Sequence, residues 1–277
     1  MNSDFGQSIE VFLNGQKNCK TSAIDCIDYH YIRPVLRYIG AVASPYDHRD
    51  FFRQWLAETI SLHENPAVTV SGAADYAWLL PNSPLTLACN NKLTPGMLTV
   101  VDGCTTPLTA CLEFAQSVPA FAVRKVQSNI PNGLGVKDQD VIVTDAFLTQ
   151  FADATHRKAV LHAWRSSLAQ DGTIITTVQV RPANGQRSAT KEVFLLATTQ
   201  LYEESPYPDA LRLSSSDFLG MVGRVAGTNH TKIYASESEL MEEISGSDLT
   251  VTHMEAHQVY SKSSQRILEY RGLVIQK

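Results

Sequence analysis

The chain reads as an α/β fold on a mostly parallel sheet, and three short stretches carry that reading. Ala67-Val68-Thr69-Val70-Ser71 is a β-branched run that ends on Gly72 and two small residues, Ala73 and Ala74. Leu98-Thr99-Val100-Val101 ends on Asp102, and Val141-Ile142-Val143-Thr144 ends on Asp145. Short, wholly apolar runs suit strands covered on both faces, as parallel strands are when helices pack above and below them. The intervening segments carry helical periodicity, so strand and helix alternate as in βαβ units. A buried strand, a tight small-residue turn and an acid closing the next strand are also the parts of a nucleotide site in such a fold.

The elements follow in order. Residues 1–24 are polar and weakly patterned, an arm. Ile32, Val35, Leu36 and Ile39 then fall at i, i+3, i+4 and i+7, which predicts a helix from Asp25 with Pro34 near its first turn. Asp47 or Asp50 caps a second helix carrying Phe51, Phe52, Trp55, Leu56 and Ile60. This pair must pack either on the sheet or across the mouth of a cleft. Pro66 opens the first strand, and Gly72 permits a positive φ after it. A helix is expected between Asp75 and Asn91, interrupted or bounded by Pro81 and Pro84.

After Asp102, the run Gly103-Cys104-Thr105-Thr106-Pro107 opens a helix, with Thr106 as N-cap and Pro107 at its first position. Phe121 to Gln127 alternates as a third strand, and Val141 to Asp145 is the fourth. A helix from about Asp153 to Leu168 precedes a fifth strand from Thr173 to Val180. Beyond Arg181 come a polar loop, a helix at Val193 to Leu201, and another capped by Ser216 or Asp217. Ser236 and Glu239 form a capping-box pattern opening a helix to Ile244. Leu249 to His257 and Ile267 to Ile275 read as a closing antiparallel hairpin. Residues 1–64 are thus an arm and helical lid. Residues 65–277 are the sheet domain, with an insertion at about 181–236.

Composition narrows the function classes. A net charge of −5 argues against a nucleic-acid backbone as the main partner, which calls for a basic surface. The five cysteines, Cys19, Cys26, Cys89, Cys104 and Cys111, are odd in number and contain no CxxC pair. Neither a disulfide framework nor a zinc knuckle is expected, and no metal. Cys104 and Cys111 read as small buried hydrophobes. No apolar stretch approaches the ~18 residues of a membrane span, and the N-terminus lacks a basic region followed by an apolar one. The expectation is a reduced, cytoplasmic protein.

The order of elements resembles that of the class I S-adenosylmethionine-dependent methyltransferases, over about Pro66 to Lys277. Val68-Thr69-Val70-Ser71-Gly72-Ala73-Ala74 sits where that family has its glycine-rich cofactor loop. Val100-Val101-Asp102 sits at its ribose-binding acid, and Asn129-Ile130 at its adenine-side loop. Val141 to Phe147 resembles the fourth-strand motif, and Leu168 to Ile175 the turn into strand five. The resemblance implies a Rossmann-like seven-stranded sheet whose last strand runs antiparallel, with helices on both faces. It implies S-adenosylmethionine as cofactor. Its expected contacts are Ser71, Gly72, Ala73, Ala74, Asp102, Gly103, Cys104, Asn129, Ile130, Asp145, Ala146 and Phe147. The glycine loop departs from the family in carrying Gly72 alone, where two or three glycines are usual.

The acceptor side is less legible. No Asn/Asp-Pro-Pro-Tyr motif, catechol-type metal motif or Pro-Cys nucleophile occurs, and no catalytic base is assigned. The candidates for substrate contact are Tyr31, Arg33 and His48 ahead of the first strand, and His230 in the insertion. The function expected is methyl transfer to a small molecule, as in specialised metabolism. One alternative is a related protein that binds S-adenosylmethionine without transferring its methyl group. An NAD(P)-dependent oxidoreductase is disfavoured, because Gly72-Ala73-Ala74-Asp75-Tyr76-Ala77 is not a G-x-G-x-x-G loop. Expected partners are a small-molecule substrate and, as an option, a second copy in a homodimer, with neither nucleic acid nor membrane.

Overall fold

The computed structural model describes residues 11, 19, 26–73, 77–92, 94–181, 191–205, 213–228 and 232–277. Ala74 and His230, both named above, lie outside the described residues, as does nearly all of the arm at 1–24.

Seven strands form one sheet in the order β3-β2-β1-β4-β5-β7-β6. They are β1 Ala67–Ser71, β2 Gly96–Asp102, β3 Phe121–Gln127, β4 Gln139–Val143, β5 Leu168–Val180, β6 Thr250–Ser261 and β7 Arg266–Gln276. β1 to β5 pair in parallel, and β7 runs antiparallel to both β5 and β6. This is the sheet that the resemblance implies. The register of β6 on β7 shifts between Val251 and His253.

Among the described residues the helices are α1 Ile27–Tyr38, α2 Arg49–Ser61, α3 Pro84–Asn90, α4 Thr105–Glu113, α5 Ala154–Ser167, α6 Lys191–Glu203, α7 Ser215–Thr228 and α8 Glu237–Ser245. Side chains alternate across each strand, so the two faces build separate cores. Val68, Val70, Val100, Val141 and Val143 face α2, α3 and α4, where Phe52, Leu56, Leu85 and Leu108 meet them. Ile142, Ile174 and Leu273 face the other way, toward Val160 and Trp164 of α5 and Leu240 of α8.

The two N-terminal helices part company. α2 packs on the sheet through Phe51, Phe52, Leu56 and Ile60. α1 instead turns Ile32, Val35, Leu36 and Ile39 toward Tyr202 of α6 and Phe218 and Val222 of α7. Tyr202 and Phe218 stack at 3.9 Å, and the Tyr202 hydroxyl donates to the Leu213 carbonyl at 2.9 Å. These three helices make a small apolar layer of their own.

Several boundaries differ from expectation for physical reasons. Pro34 lies mid-helix in α1, not in its first turn, and removes one helical hydrogen bond there. Among the described residues, the segment between β1 and β2 holds a 3-10 turn at Ala77–Leu79 and then α3, whose N-cap Ser83 accepts from the Thr86 N–H at 3.0 Å. Pro84 occupies the first helical position, where its missing donor costs nothing. α4 is capped by Cys104, not Thr106, because the Cys104 N–H is held by Asp102 Oδ1 at 2.9 Å and the chain turns helical directly afterwards. β5 begins at Leu168, which pairs with Gln139 before a register shift brings Thr173 opposite Val141.

Candidate functional site

The carboxyl ends of the parallel strands open onto a cavity of about 780 Å³. Open α/β sheets hold ligands in this crevice, where connections leave toward opposite faces. From the sequence-predicted set, Gly72, Ala73, Asp102, Gly103 and Cys104 line one side of it. Asn129, Ile130, Asp145 and Phe147 line another, and Arg33 reaches in from α1.

Two separate constraints require glycine at position 72. Its φ is +80°, a region side chains disfavour. A Cβ there would also lie 2.5 Å from Phe147 Cδ2. Ser71 does not line the cavity. It is fully buried, and its Oγ accepts from Trp164 Nε1 at 2.8 Å, tying the loop to α5.

Asp145 is aimed by a residue that sequence reasoning missed. The Thr177 hydroxyl on β5 donates to Asp145 Oδ1 at 2.6 Å and accepts from the Ala146 N–H at 3.0 Å. Ala146 has φ +51° and does not line the cavity. The threonine thus holds a left-handed turn in place, and the turn presents Asp145 and Phe147 to the cavity. Phe147 packs on Phe151 with ring centroids 5.3 Å apart.

α1 supplies the opposite wall. Cys26, Tyr29, His30, Arg33 and Arg37 line it, together with Arg224 of α7. Arg224 Nε and Asp28 Oδ2 pair at 2.5 Å and join the two helices at the mouth. Tyr31 falls on the other side of α1, packed with the α6–α7 layer, and burial raises its phenol pKa. The signal for the missed residues was in the sequence. Positions 26, 30 and 37 recur at helical spacing with the predicted Arg33, away from the apolar stripe at 32, 35, 36 and 39.

His48 lies behind the cavity wall. It is 1% exposed, and its Nε2 is 4.0 Å from Asp145 Oδ1. Its ring meets Tyr270 edge-on at 4.7 Å and His257 at 5.4 Å. Neither ring nitrogen has a hydrogen-bond partner among the described residues. Burial lowers its pKa, aided by Arg37 and opposed by Asp145 and Asp47, so the ring is neutral.

One group of side chains beside the cavity was not anticipated. The donor atoms of Cys19, Cys26, His30 and Cys104 all lie within 4.8 Å of one another, and all four residues are buried. Hydrogen bonding from Cys26, then from His30 and the Thr106 backbone, holds the Cys104 thiol well below its ordinary pKa against the effect of burial. Burial disfavours a charged His30, but its contacts with Cys104, Cys19 and Asp102 outweigh that and raise its pKa to about 9.

No family model matches the chain, and no curated protein matches its sequence. Solved structures do match. A loganic acid methyltransferase with S-adenosylhomocysteine (SAH) aligns at a TM-score of 0.55 and 9% identity, over 83% of this chain and 93% of that one. The magnesium protoporphyrin IX methyltransferase of Synechocystis PCC 6803 with bound SAH aligns at 0.52 and 11% identity, over 91% and 97%. A pericyclic reaction enzyme aligns at 0.51 and 13% identity, and this chain covers 63% of its length. At such identities the likeness lies in the backbone. The strand order and these neighbours agree that the chain has the fold of the class I S-adenosylmethionine-dependent methyltransferases.

Proposed function

We propose that this protein binds S-adenosylmethionine and transfers its methyl group to a small-molecule acceptor, of the kind made in specialised metabolism. The observation that carries the reading is the convergence of Gly72, Asp102, Ile130 and Asp145 on one cavity at the strands' carboxyl ends. Its volume of about 780 Å³ suits a nucleoside-sized ligand with space beyond it. Gly72, with its positive φ and the Phe147 ring packed where a Cβ would stand, turns the chain at the cavity wall, where its backbone can meet the ligand's amino-acid part. The Asp102 carboxylate suits a pair of ribose hydroxyls, while Asn129 and Ile130 flank an adenine ring and Phe147 offers it an apolar face.

The bound cofactor supplies a methyl group already activated on a sulfonium, so the protein's share of the work is positioning and exclusion of water. α1 and α7 close the cavity over the strand ends. Arg33 and Arg37 give that wall positive charge, which favours an acceptor carrying an anionic or carbonyl group. His48 backs Asp145 without a hydrogen bond to it, at 4.0 Å, and burial keeps its ring neutral, so the positioning falls to the residues that line the cavity.

Calorimetric titration tests the assignment. S-adenosylmethionine and SAH should bind the wild type, and Asp102→Ala should weaken both more than about tenfold, since hydrogen bonds to a charged group contribute ~1.5–3 kcal/mol each. Binding that Asp102→Ala leaves unchanged would remove the cofactor assignment. A second reading draws on the pericyclic reaction enzyme among the fold's neighbours. There the chain binds the cofactor but directs other chemistry. Tight S-adenosylmethionine binding with no SAH released from any acceptor panel would favour it.

A further inference from the structure

We propose that Cys19, Cys26, His30 and Cys104 form a closed site for a single zinc ion, which fastens the N-terminal segment to the carboxyl end of β2. Cys26, His30 and Cys104 also line the cavity, and the zinc site stands whether or not that cavity takes S-adenosylmethionine.

The donor set comes first. Three thiols and one imidazole are the ligands of a tetrahedral structural zinc centre, in which Zn–S is about 2.3 Å and Zn–N about 2.0 Å. Those bonds place neighbouring donors ~3.4–3.8 Å apart. Here Cys26 Sγ and Cys104 Sγ are 3.3 Å apart, Cys19 Sγ and His30 Nδ1 are also 3.3 Å apart, and no pair exceeds 4.8 Å. Opening the close pairs by a few tenths of an ångström, and drawing the wider ones inward, seats one ion. The spread is too small for an iron–sulfur cluster, whose ligands stand further apart across several metal atoms.

Burial sharpens the case. The four residues are between 3% and 9% exposed. Thiolates gathered away from water are costly unless a cation neutralises them. Around the donors lies the outer layer that orients metal ligands. Thr106 Oγ1 is 2.8 Å from Cys19 Sγ, and the Cys104 backbone N–H is held by Asp102. Placement adds the mechanical role. Cys26 and His30 are one helical turn apart at the start of α1, and Cys104 caps α4. With four protein ligands the coordination is complete, so the ion ties segments together and leaves no position for a substrate. The remaining cysteines, Cys89 and Cys111, sit in the core beneath the sheet.

The test begins with full-length protein purified under reducing conditions without chelator. Elemental analysis should find one zinc per chain. Chelator-stripped protein should take up one cobalt(II), with thiolate-to-metal charge transfer and the strong visible bands of a four-coordinate centre. Cys19→Ser and Cys26→Ser should each weaken zinc binding about a hundredfold or more in competition with a chromophoric chelator, beyond what loss of an outer partner does. Cys89→Ser and Cys111→Ser should bind as the wild type does. If the ligand variants fail to fold, alkylation mapping of the wild type decides. Cys19, Cys26 and Cys104 should be shielded when zinc is bound and modified after stripping. Failure to take up zinc or cobalt overturns the proposal. So does full metal content in Cys26→Ser, or a Cys26–Cys104 disulfide in metal-free protein that zinc cannot replace under reduction.

Discussion

Gly72→Ala isolates two forces at one position of the cavity. The φ of +80° places an alanine in the left-handed region, at about 1–2 kcal/mol. The new Cβ would stand 2.5 Å from Phe147 Cδ2 and 2.6 Å from Cε2. That ring is not a loose side-chain end, since it packs on Phe151 and Trp164. Forcing it aside is overpacking, about 1–3 kcal/mol. The sum is about 2–5 kcal/mol, a fall in Tm of ~5–15 °C for a chain of this size. A double-mutant cycle with Phe147→Ala, followed by urea denaturation, separates the two parts. Removing the ring should abolish the clash and leave the backbone cost, so Gly72→Ala should cost about 1–3 kcal/mol less in that background. Equal costs in both backgrounds would refute the steric argument. A loss below about 0.5 kcal/mol in the wild type would refute the backbone argument as well.

Three further outcomes follow from other contacts. Thr177→Val keeps shape but strips Asp145 and the Ala146 N–H of a shared partner. It should cost about 1–3 kcal/mol in urea denaturation and weaken cofactor binding together with stability. Arg157 is buried, pairs with both carboxylate oxygens of Glu243 at 2.7 and 2.8 Å, and donates to the Phe151 and Ala152 carbonyls. Arg157→Met should lose about 3–5 kcal/mol by stranding Glu243, and adding Glu243→Leu should recover much of it. Burial lowers the pKa of both His48 and His257 from 6.5, so the unfolded chain binds protons that the folded chain refuses. Their contribution is complete above pH 6.5 and falls as the pH drops below it, by up to ~1.4 kcal/mol per pH unit for each histidine. Stability profiles across the acid range should show this slope, and His48→Phe should flatten it.

The sheet was legible because its physics is local. Val68, Val100, Val101, Ile142 and Val143 are covered on one face or the other, and uninterrupted β-branched runs say so without reference to the rest of the chain. The acids that close β2 and β4 were visible for the same reason. The connection between β1 and β2 was only half legible, since Pro81 and Pro84 forbid one long helix but do not say where a turn stands in for it. Tyr31 against Tyr29 and His30 was a matter of phase on one helix, and the apolar stripe carried the answer. The cysteine group could not be read at all. Its members stand 78 residues apart between Cys26 and Cys104, and no spacing rule joins a helix start to a strand end that folds against it. Thr177 was hidden likewise, being one threonine among several in β5 until the neighbouring strand placed Asp145 beside it.

An open seven-stranded sheet has two rims, and both here are defended against growth. β3 exposes Arg124 and Lys125 in its middle, so antiparallel docking of a second β3 would set cation against cation. β6, on the far rim, carries a register shift between Val251 and His253, which interrupts its ladder near its start. Each rim thus carries a feature that works against strand-to-strand stacking.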